Sequence, residues 1–368
     1  MLTMQPVSIG IIGAGNISGI YLEADRKFPN LRITKIADVD LSRARAQAEK
    51  FGKQAVTVDA LLADPEIQLV VNLTPPQAHA PVAMQILEAG RHVYNEKPLA
   101  ISLEDAQRMM ALAASKGLRI GCAPDTFLGG GLQTCRALLD DGAIGQPVLA
   151  FARMLSAGVE SWHPNPEFFY KPGGGPMFDM GPYYLTALVS LLGPAQRVSG
   201  VARITYPERV ITSQPLRGAR IAVEVPTMVA GLIEFADGAV ANIVTTFDIC
   251  DGSSGYELTI YGSAGALRCP DPNTFGGPVL IKRRGDEDWQ PAPIHHRWVE
   301  NSRGIGVAEM VEAIRCNRPH RANALMAYHV LELMHAFHKS ARLGRHVSIE
   351  STCPRPDSLP ATWPETTA

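Results

Sequence analysis

A short apolar run followed at once by a glycine loop constrains this chain more than any other feature. Val7-Ser8-Ile9-Gly10-Ile11-Ile12 has the length and near-continuous apolar character of a strand buried on both faces. Gly13-Ala14-Gly15-Asn16-Ile17-Ser18 follows directly, and Ile17, Ile20, Tyr21, Ala24 and Phe28 then recur at helical spacing. The first glycine of such a loop allows a tight turn. The second lets the backbone approach a pyrophosphate, whose charge a helix N-terminus attracts. Ser18, with Gly19 next, is small enough for close helix–strand packing. The loop therefore predicts dinucleotide binding, on Gly13, Gly15, Asn16 and Ile17.

The alternation continues. Strand signals at 31–38, 70–73, 91–95 and 119–122 are interleaved with helical patterns at 41–51, 78–87 and 103–116. Gly52 closes the first of these helices and Gly90 follows the second. This is an α/β pattern, an N-terminal Rossmann domain with a doubly wound parallel sheet over residues 1–125. After Pro124 the character changes. A helix is expected from Gly129-Gly130-Gly131 to Leu139, a strand at 148–155, an aromatic Pro/Gly-rich loop at 162–176 and a helix at 180–192. Strand signals dominate 196–282, clearest in two apolar runs around Asp237-Gly238, a hairpin signature. Helix returns at 306–343. We read residues 126–345 as a second, α+β domain and 346–368 as a surface tail.

Composition excludes several functions. Lys plus Arg total 34 and Asp plus Glu 36, so no basic balance points to nucleic acid or an anionic membrane. Charged residues at 19% and apolar ones at 46% argue for a packed protein rather than a disordered one. No apolar run approaches 18 residues and no basic leader precedes Val7, so the expectation is a soluble cytoplasmic protein. The six cysteines, including Cys250, form no CxxC pair and read as reduced thiols. His335 and His338 share a helix face with His329 two turns earlier, but no acid joins them at ligand spacing, so no metal is expected.

Asp38, at the end of the second strand signal, suits the ribose hydroxyls of NAD. The 2′-phosphate of NADP would meet like-charge repulsion of about 4 kcal/mol at ~4 Å and an effective dielectric of ~20. Arg43, a helical turn further on, screens part of that charge and leaves NADP open. The alternative for Asp38 is a helix N-cap, a role Asp40 could also fill.

Two further segments, Thr74-Pro75-Pro76-Gln77-Ala78-His79 and Glu96-Lys97-Pro98-Leu99-Ala100, each follow a strand signal. With Gly173-Gly174-Gly175, Asp179-Met180-Gly181 and the closing Tyr328–Glu332 and Ser340–Arg345 segments, they make the chain resemble the Gfo/Idh/MocA family of glucose–fructose oxidoreductases and inositol dehydrogenases over nearly its whole length. The resemblance implies a large open antiparallel sheet in the second domain. It also implies assembly through that sheet into homodimers or homotetramers. The implied reaction is NAD(P)-dependent hydride transfer at a hydroxyl of a sugar, glycoside or inositol. Relatives that hydrolyse glycosides by transient oxidation and elimination, and a non-catalytic NAD(H)-binding regulator, are the alternatives. The resemblance places Thr74, Pro75, His79, Glu96 and Lys97 at the cofactor, and makes Lys97 a catalytic or substrate-positioning residue. His79 lines the nicotinamide pocket or is structural.

The family's second catalytic stretch reads Asp-x-Gly-x-His followed by an acid. Here Asp179-Met180-Gly181-Pro182-Tyr183 puts tyrosine at the histidine position and Thr186 at the acid. Three readings follow: lost catalysis, a tyrosine base, or Tyr183 as a hydrogen-bonding wall of the substrate site. Asp179 matches the motif and would bind a sugar hydroxyl or Lys97. Trp162-His163 is read either as a carbohydrate platform or as a buried tryptophan beside a satisfied histidine. Asp125 is a candidate acceptor for substrate hydroxyls.

Overall fold

The computed structural model describes residues 5–249 and 255–364. Cys250 and the last four residues lie outside the described residues. The chain divides into two compact units, one of residues 1–125 and 301–328, the other of 126–300 and 329–368.

The first unit is built on six parallel strands: β1 (Val7–Ile12), β2 (Leu31–Ala37), β3 (Gln54–Val56), β4 (Leu69–Asn72), β5 (His92–Asn95) and β6 (Ile120–Cys122). Their order is β3-β2-β1-β4-β5-β6. The chain thus reverses direction of growth between β1 and β4, where ligands bind in doubly wound sheets. Every residue of β1 and β4 is buried, as the apolar runs require. The helix Leu41–Phe51 starts on Asp40, whose side chain accepts from Ser42 N, and ends on Gly52 at φ 66°. The segment after the glycine loop is two short helices, Ser18–Leu22 and Ala24–Lys27, rather than one.

Two features of this unit escaped the sequence. The short strand β3 and the helix Val58–Ala63 were not predicted; three residues carry too little periodicity to show. Residues 301–328 also join this unit, although the sequence reading ran the second domain to residue 345. Ala322 O accepts from Cys122 N and Asn323 bridges Gly121, which covers the exposed edge of β6. The single helix expected over 306–343 is two, Ile305–Arg315 and Ala324–Leu343.

The second unit carries a nine-stranded sheet among its described residues. In chain order its strands are β7 (Pro147–Leu155), β8 (Ala195–Arg203), then β9 (Glu208–Val210) and β10 (Arg220–Ala222) as a separate pair. They continue as β11 (Met228–Phe235), β12 (Val240–Thr246), β13 (Tyr256–Gly262), β14 (Gly265–Arg268), β15 (Leu280–Arg283), β16 (Gln290–Pro291) and β17 (Val347–Ser348). The order is β16-β15-β14-β13-β7-β12-β11-β8-β17. All pairs are antiparallel except β7 with β12, so the large sheet is mixed but mostly antiparallel. The predicted hairpin is β11–β12, with Gly238 at φ 88° in its turn.

Alternation sorts the sheet into two faces. Ala150, Ala152, Val229, Ile233, Ala241, Ile243, Leu258 and Ile260 are buried on one. Gly200 and Gly231 leave room there for Phe337: a Cβ on either would sit 2.7 Å from its ring. The helix Gly181–Leu192 is buried along its whole length. The stretch 346–364 is no loose tail: β17 pairs with β8, and Cys353, Leu359 and Trp363 are buried. Of the other cysteines, Cys122, Cys135 and Cys269 are buried free thiols and Cys316 is exposed. Among the described residues, no helix is long and apolar enough to cross a membrane.

Candidate active site

Gly13 sits at φ 108°, a conformation that favours glycine, and a Cβ there would lie 2.6 Å from the Leu73 carbonyl carbon. Both facts demand glycine, because the loop after β1 lies flat on the chain leaving β4. Gly13 N donates to Ala37 O at 2.8 Å, and Ser18 Oγ donates back to Gly15 O at 2.7 Å. A Cβ on Gly15 would meet no atom within 4 Å. The backbone there is unshielded, and Asn16 and Ile17 beside it are exposed.

Asp38 is fixed from two sides. Its Oδ2 accepts from Ala14 N at 2.7 Å and its Oδ1 from Asp40 N at 2.9 Å. The helix cap is Asp40, which leaves Asp38 tied to the glycine loop. Arg43 is exposed on the first turn of that helix. Val39, between the two acids, is 99% exposed, unusual for an aliphatic side chain next to a fixed carboxylate.

The loops after β4 and β5 carry the other candidates. Pro75 is exposed and Thr74 half-buried. Lys97 and Glu96 are half-buried, and the Lys97–Pro98 peptide bond is cis. Glu96 accepts from Tyr21 Oη at 2.8 Å and, through its other oxygen, from Lys97 N at 3.0 Å. Burial, and then the charge of Glu96, push the Tyr21 phenol well above its ordinary value, so it donates this bond.

His79 does not offer a nitrogen to a ligand. It is 1% exposed, with Nδ1 2.6 Å from Pro98 O and Nε2 2.8 Å from Thr74 O. Burial pulls its pKa below the usual value, while those carbonyls and Glu96 pull the other way. Of the two readings of His79, the geometry supports the structural one.

Asp125 is corrected too. It is 1% exposed, and its Oδ2 accepts from Gly304 N at 2.9 Å and Gly306 N at 3.0 Å, at the start of the helix Ile305–Arg315. Its carboxyl holds a piece of the fold instead of a substrate. The sequence could not show this, because the partners lie 179 and 181 residues away.

In the second unit, Asp179 ends the short helix Pro176–Asp179 and is half-buried; Tyr183, in the first turn of the helix Gly181–Leu192, is 8% exposed. Asp179 N donates to Gly175 O at 2.9 Å, and Gly175 N to Phe169 O at 2.6 Å, so the glycine run ties the aromatic loop to the Asp179 helix. Trp162 is 64% exposed, which removes the buried-tryptophan reading. Its ring stands edge-on to His163, which is braced by Phe168 and Phe169 at 5.4 and 5.1 Å. His329 is committed to the fold: Nε2 accepts from Ala195 N at 2.9 Å, and Nδ1 lies 2.9 Å from Ser351 Oγ. Among the described residues, no group of three or more His, Cys, Asp or Glu side chains is placed to hold a metal ion.

Residues 7–123 match the family described as "Oxidoreductase family, NAD-binding Rossmann fold", and residues 132–268 match the GFO/IDH/MocA C-terminal domain. A reductase of Streptomyces violaceoruber, dTDP-3,4-didehydro-2,6-dideoxy-alpha-D-glucose 3-reductase, is 33% identical over 85% of this chain and 86% of its own. The chain belongs to the Gfo/Idh/MocA oxidoreductase family. Its first unit is an NAD-binding Rossmann domain. Levoglucosan dehydrogenase of Pseudarthrobacter phenanthrenivorans is 26% identical over 72% of this chain and 73% of its own. A solved levoglucosan dehydrogenase in complex with NADH and levoglucosan superposes with a TM-score of 0.81, covering 94% of this chain and 100% of that one at 21% identity, a likeness of fold. The matched segments span 56–86% of the curated relatives' own lengths, under two thirds in three of them.

The residues of the first unit fit NAD. The unshielded Gly15 backbone suits a pyrophosphate, and the doubly anchored Asp38 presents a fixed carboxylate of the sign that accepts ribose hydroxyls.

Asp125 generates a prediction. Burial raises its pKa from 3.8 to about 6, so the folded chain holds that proton more tightly than the unfolded one. Its contribution to stability is complete below about pH 4 and falls away as pH rises to about 6. Asp125→Asn keeps an acceptor for Gly304 and Gly306 but cannot titrate. Urea midpoints of the two proteins at steps from pH 4 to 7 should diverge in the variant's favour up to pH 6 and run parallel above; parallel curves throughout would refute the assignment.

Proposed function

We propose that this protein moves hydride between NAD and a secondary hydroxyl of a sugar, glycoside or inositol. The observation that carries this reading is the Glu96-Lys97-Pro98 loop, set by Tyr21 and His79 at the carboxyl end of β5 beside the strand-reversal point of an NAD-binding sheet. The named relatives, a sugar-nucleotide reductase and levoglucosan dehydrogenase, support the substrate class.

Bound NAD supplies the hydride acceptor at its nicotinamide ring. As hydride leaves for the nicotinamide, the Lys97 amine in its neutral form would take the hydroxyl proton, and the ammonium so formed would hold the new carbonyl oxygen. Glu96 fixes the peptide that carries Lys97. Asp38 accepts hydrogen bonds from the adenosine ribose, and Thr74 and Pro75 wall the cofactor. In the second unit, the family resemblance makes Asp179 and Tyr183 the candidates for hydrogen bonds to substrate hydroxyls. Tyr183, where the family has histidine, is a hydrogen-bonding group here, and Trp162 with His163 forms a platform for a sugar's CH face.

The outward face of the large sheet supports assembly with a second copy. Val201, Ala230, Leu232, Phe151 and Val244 share this face by register, with Val201 61% and Leu232 45% exposed. Arg197–Glu234 and Arg153–Glu257 pairs flank them. Asn242 and Ser199 interrupt this face, but exposed apolar side chains edged by ion pairs suit an association surface.

Leu232→Glu with Val201→Glu should reduce the mass by light scattering to that of one chain; a wild-type protein that is already monomeric at micromolar concentration would remove the assembly. Asp38→Asn should lower the NAD-over-NADP ratio of kcat/KM about tenfold or more, the equivalent of ~1.4 kcal/mol; an unchanged ratio would remove Asp38 from cofactor choice. NADH formation at 340 nm should appear with at least one of levoglucosan, methyl glucosides, free hexoses and inositols. With that substrate, Lys97→Ala should cut kcat by 100-fold or more while NADH affinity, read by fluorescence, stays within threefold. An unaffected kcat would sink the role of Lys97.

A further inference from the structure

The last residues of β4 and β5, Asn72 and Asn95, are neighbours in register and are both fully buried. An amide in the core is costly unless its donors and acceptor are matched. Asn72 uses all four positions: Nδ2 donates to His79 O and to Asn95 Oδ1, each at 3.0 Å, and Oδ1 accepts from Thr74 N at 3.3 Å and Thr74 Oγ1 at 2.7 Å. Asn95 Nδ2 passes the chain of bonds on to Leu99 O at 3.2 Å. The His79 ring closes the circuit between Thr74 O and Pro98 O. Both carbonyls can only accept, and the neutral ring that burial favours carries a single N–H; placed on Nδ1, at the shorter contact, that hydrogen goes to Pro98 O and ties the helix after β4 to the loop that bears Lys97. The loop after β4 and the loop that bears Lys97 are therefore one rigid body, stitched by three buried side chains.

We propose that His79 is a positioning residue for Lys97, acting through the Pro98 carbonyl, with Asn72 and Asn95 as its supports. The inference rests on the reading of Lys97 given above, and it changes what His79 does: it sets where the ammonium stands and touches neither cofactor nor substrate. Glutamine at 79 puts its amide where Nε2 stands, beside Thr74 O, and leaves no donor at the Nδ1 position, so the Pro98 carbonyl loses its tie. A misplacement of order 1 Å at a reacting group costs on the order of 100-fold in rate.

A double-mutant cycle tests this. His79→Gln is measured in the Lys97 and the Lys97→Ala backgrounds, using the fastest substrate of the carbohydrate panel and NAD, with NADH affinity by fluorescence and thermal melting in parallel. Acting through Lys97, the substitution lowers kcat about 10- to 100-fold in the first background and no more than twofold in the second, with NADH affinity within threefold in both. Equal losses in the two backgrounds, or a wild-type kcat for His79→Gln, would overturn the positioning role, because a merely structural loss removes the same active fraction from each. A Lys97→Ala protein as fast as wild type would instead overturn the reading of Lys97 itself. Asn95→Ala, measured in the same two backgrounds, keeps the test open if His79→Gln does not fold, and the same pattern of unequal losses is expected of it.

Discussion

The ligand-facing end of the first unit depends on the register of three parallel strands. β4 lies beside β1 with Asn72 opposite Ile12, and beside β5 with Asn95 opposite Asn72. That register brings the glycine loop, the Thr74-Pro75 turn and the Glu96-Lys97-Pro98 loop to one edge of the sheet. Each loop then borrows its conformation from its neighbours. Gly13 lies against Leu73, Ala14 N bonds Asp38, and His79 bonds Thr74 O and Pro98 O. A parallel sheet buried on both faces leaves few ways to satisfy polar groups at strand ends except through one another.

The sequence showed what local rules decide. Two glycines and a buried apolar run identify β1 and its turn, and Gly52 marks a stop; the N-cap stays open between Asp38 and Asp40 until the structure gives it to Asp40. Hydrophobic alternation around Asp237-Gly238 identifies a hairpin. Tertiary partners decide the rest. Asp125 reads as a candidate acceptor for substrate hydroxyls, yet its partners are Gly304 and Gly306, distant in the chain and silent in any periodicity. The same long-range pairing draws residues 301–328 to the first unit. Asn72 and Asn95 did carry a signal that went unused. A polar amide closing an apolar strand is rarely idle, and two in adjacent strands point to a shared network.

The second unit follows a different economy of surface. Its sheet buries one face, where Phe337 packs against Gly200 and Gly231, and turns the other outward with valine, leucine and phenylalanine in register. The low charge fraction of the chain fits such a face better than it fits a fully solvated surface. The departure at Tyr183 belongs to this unit as well. Tyr183 stands in the first turn of a wholly buried helix, with a phenol hydroxyl where the family resemblance expects an imidazole nitrogen.

The central claim is that hydride leaves a carbinol carbon of a carbohydrate for the nicotinamide ring. It is tested most directly with sugars and glycosides deuterated at their ring CH–OH positions, incubated with the protein and NAD. The account predicts that mass spectrometry will find one deuterium in the recovered NADH and an oxidised sugar lacking it. NADH that stays undeuterated with every labelled position of a turned-over substrate would contradict it.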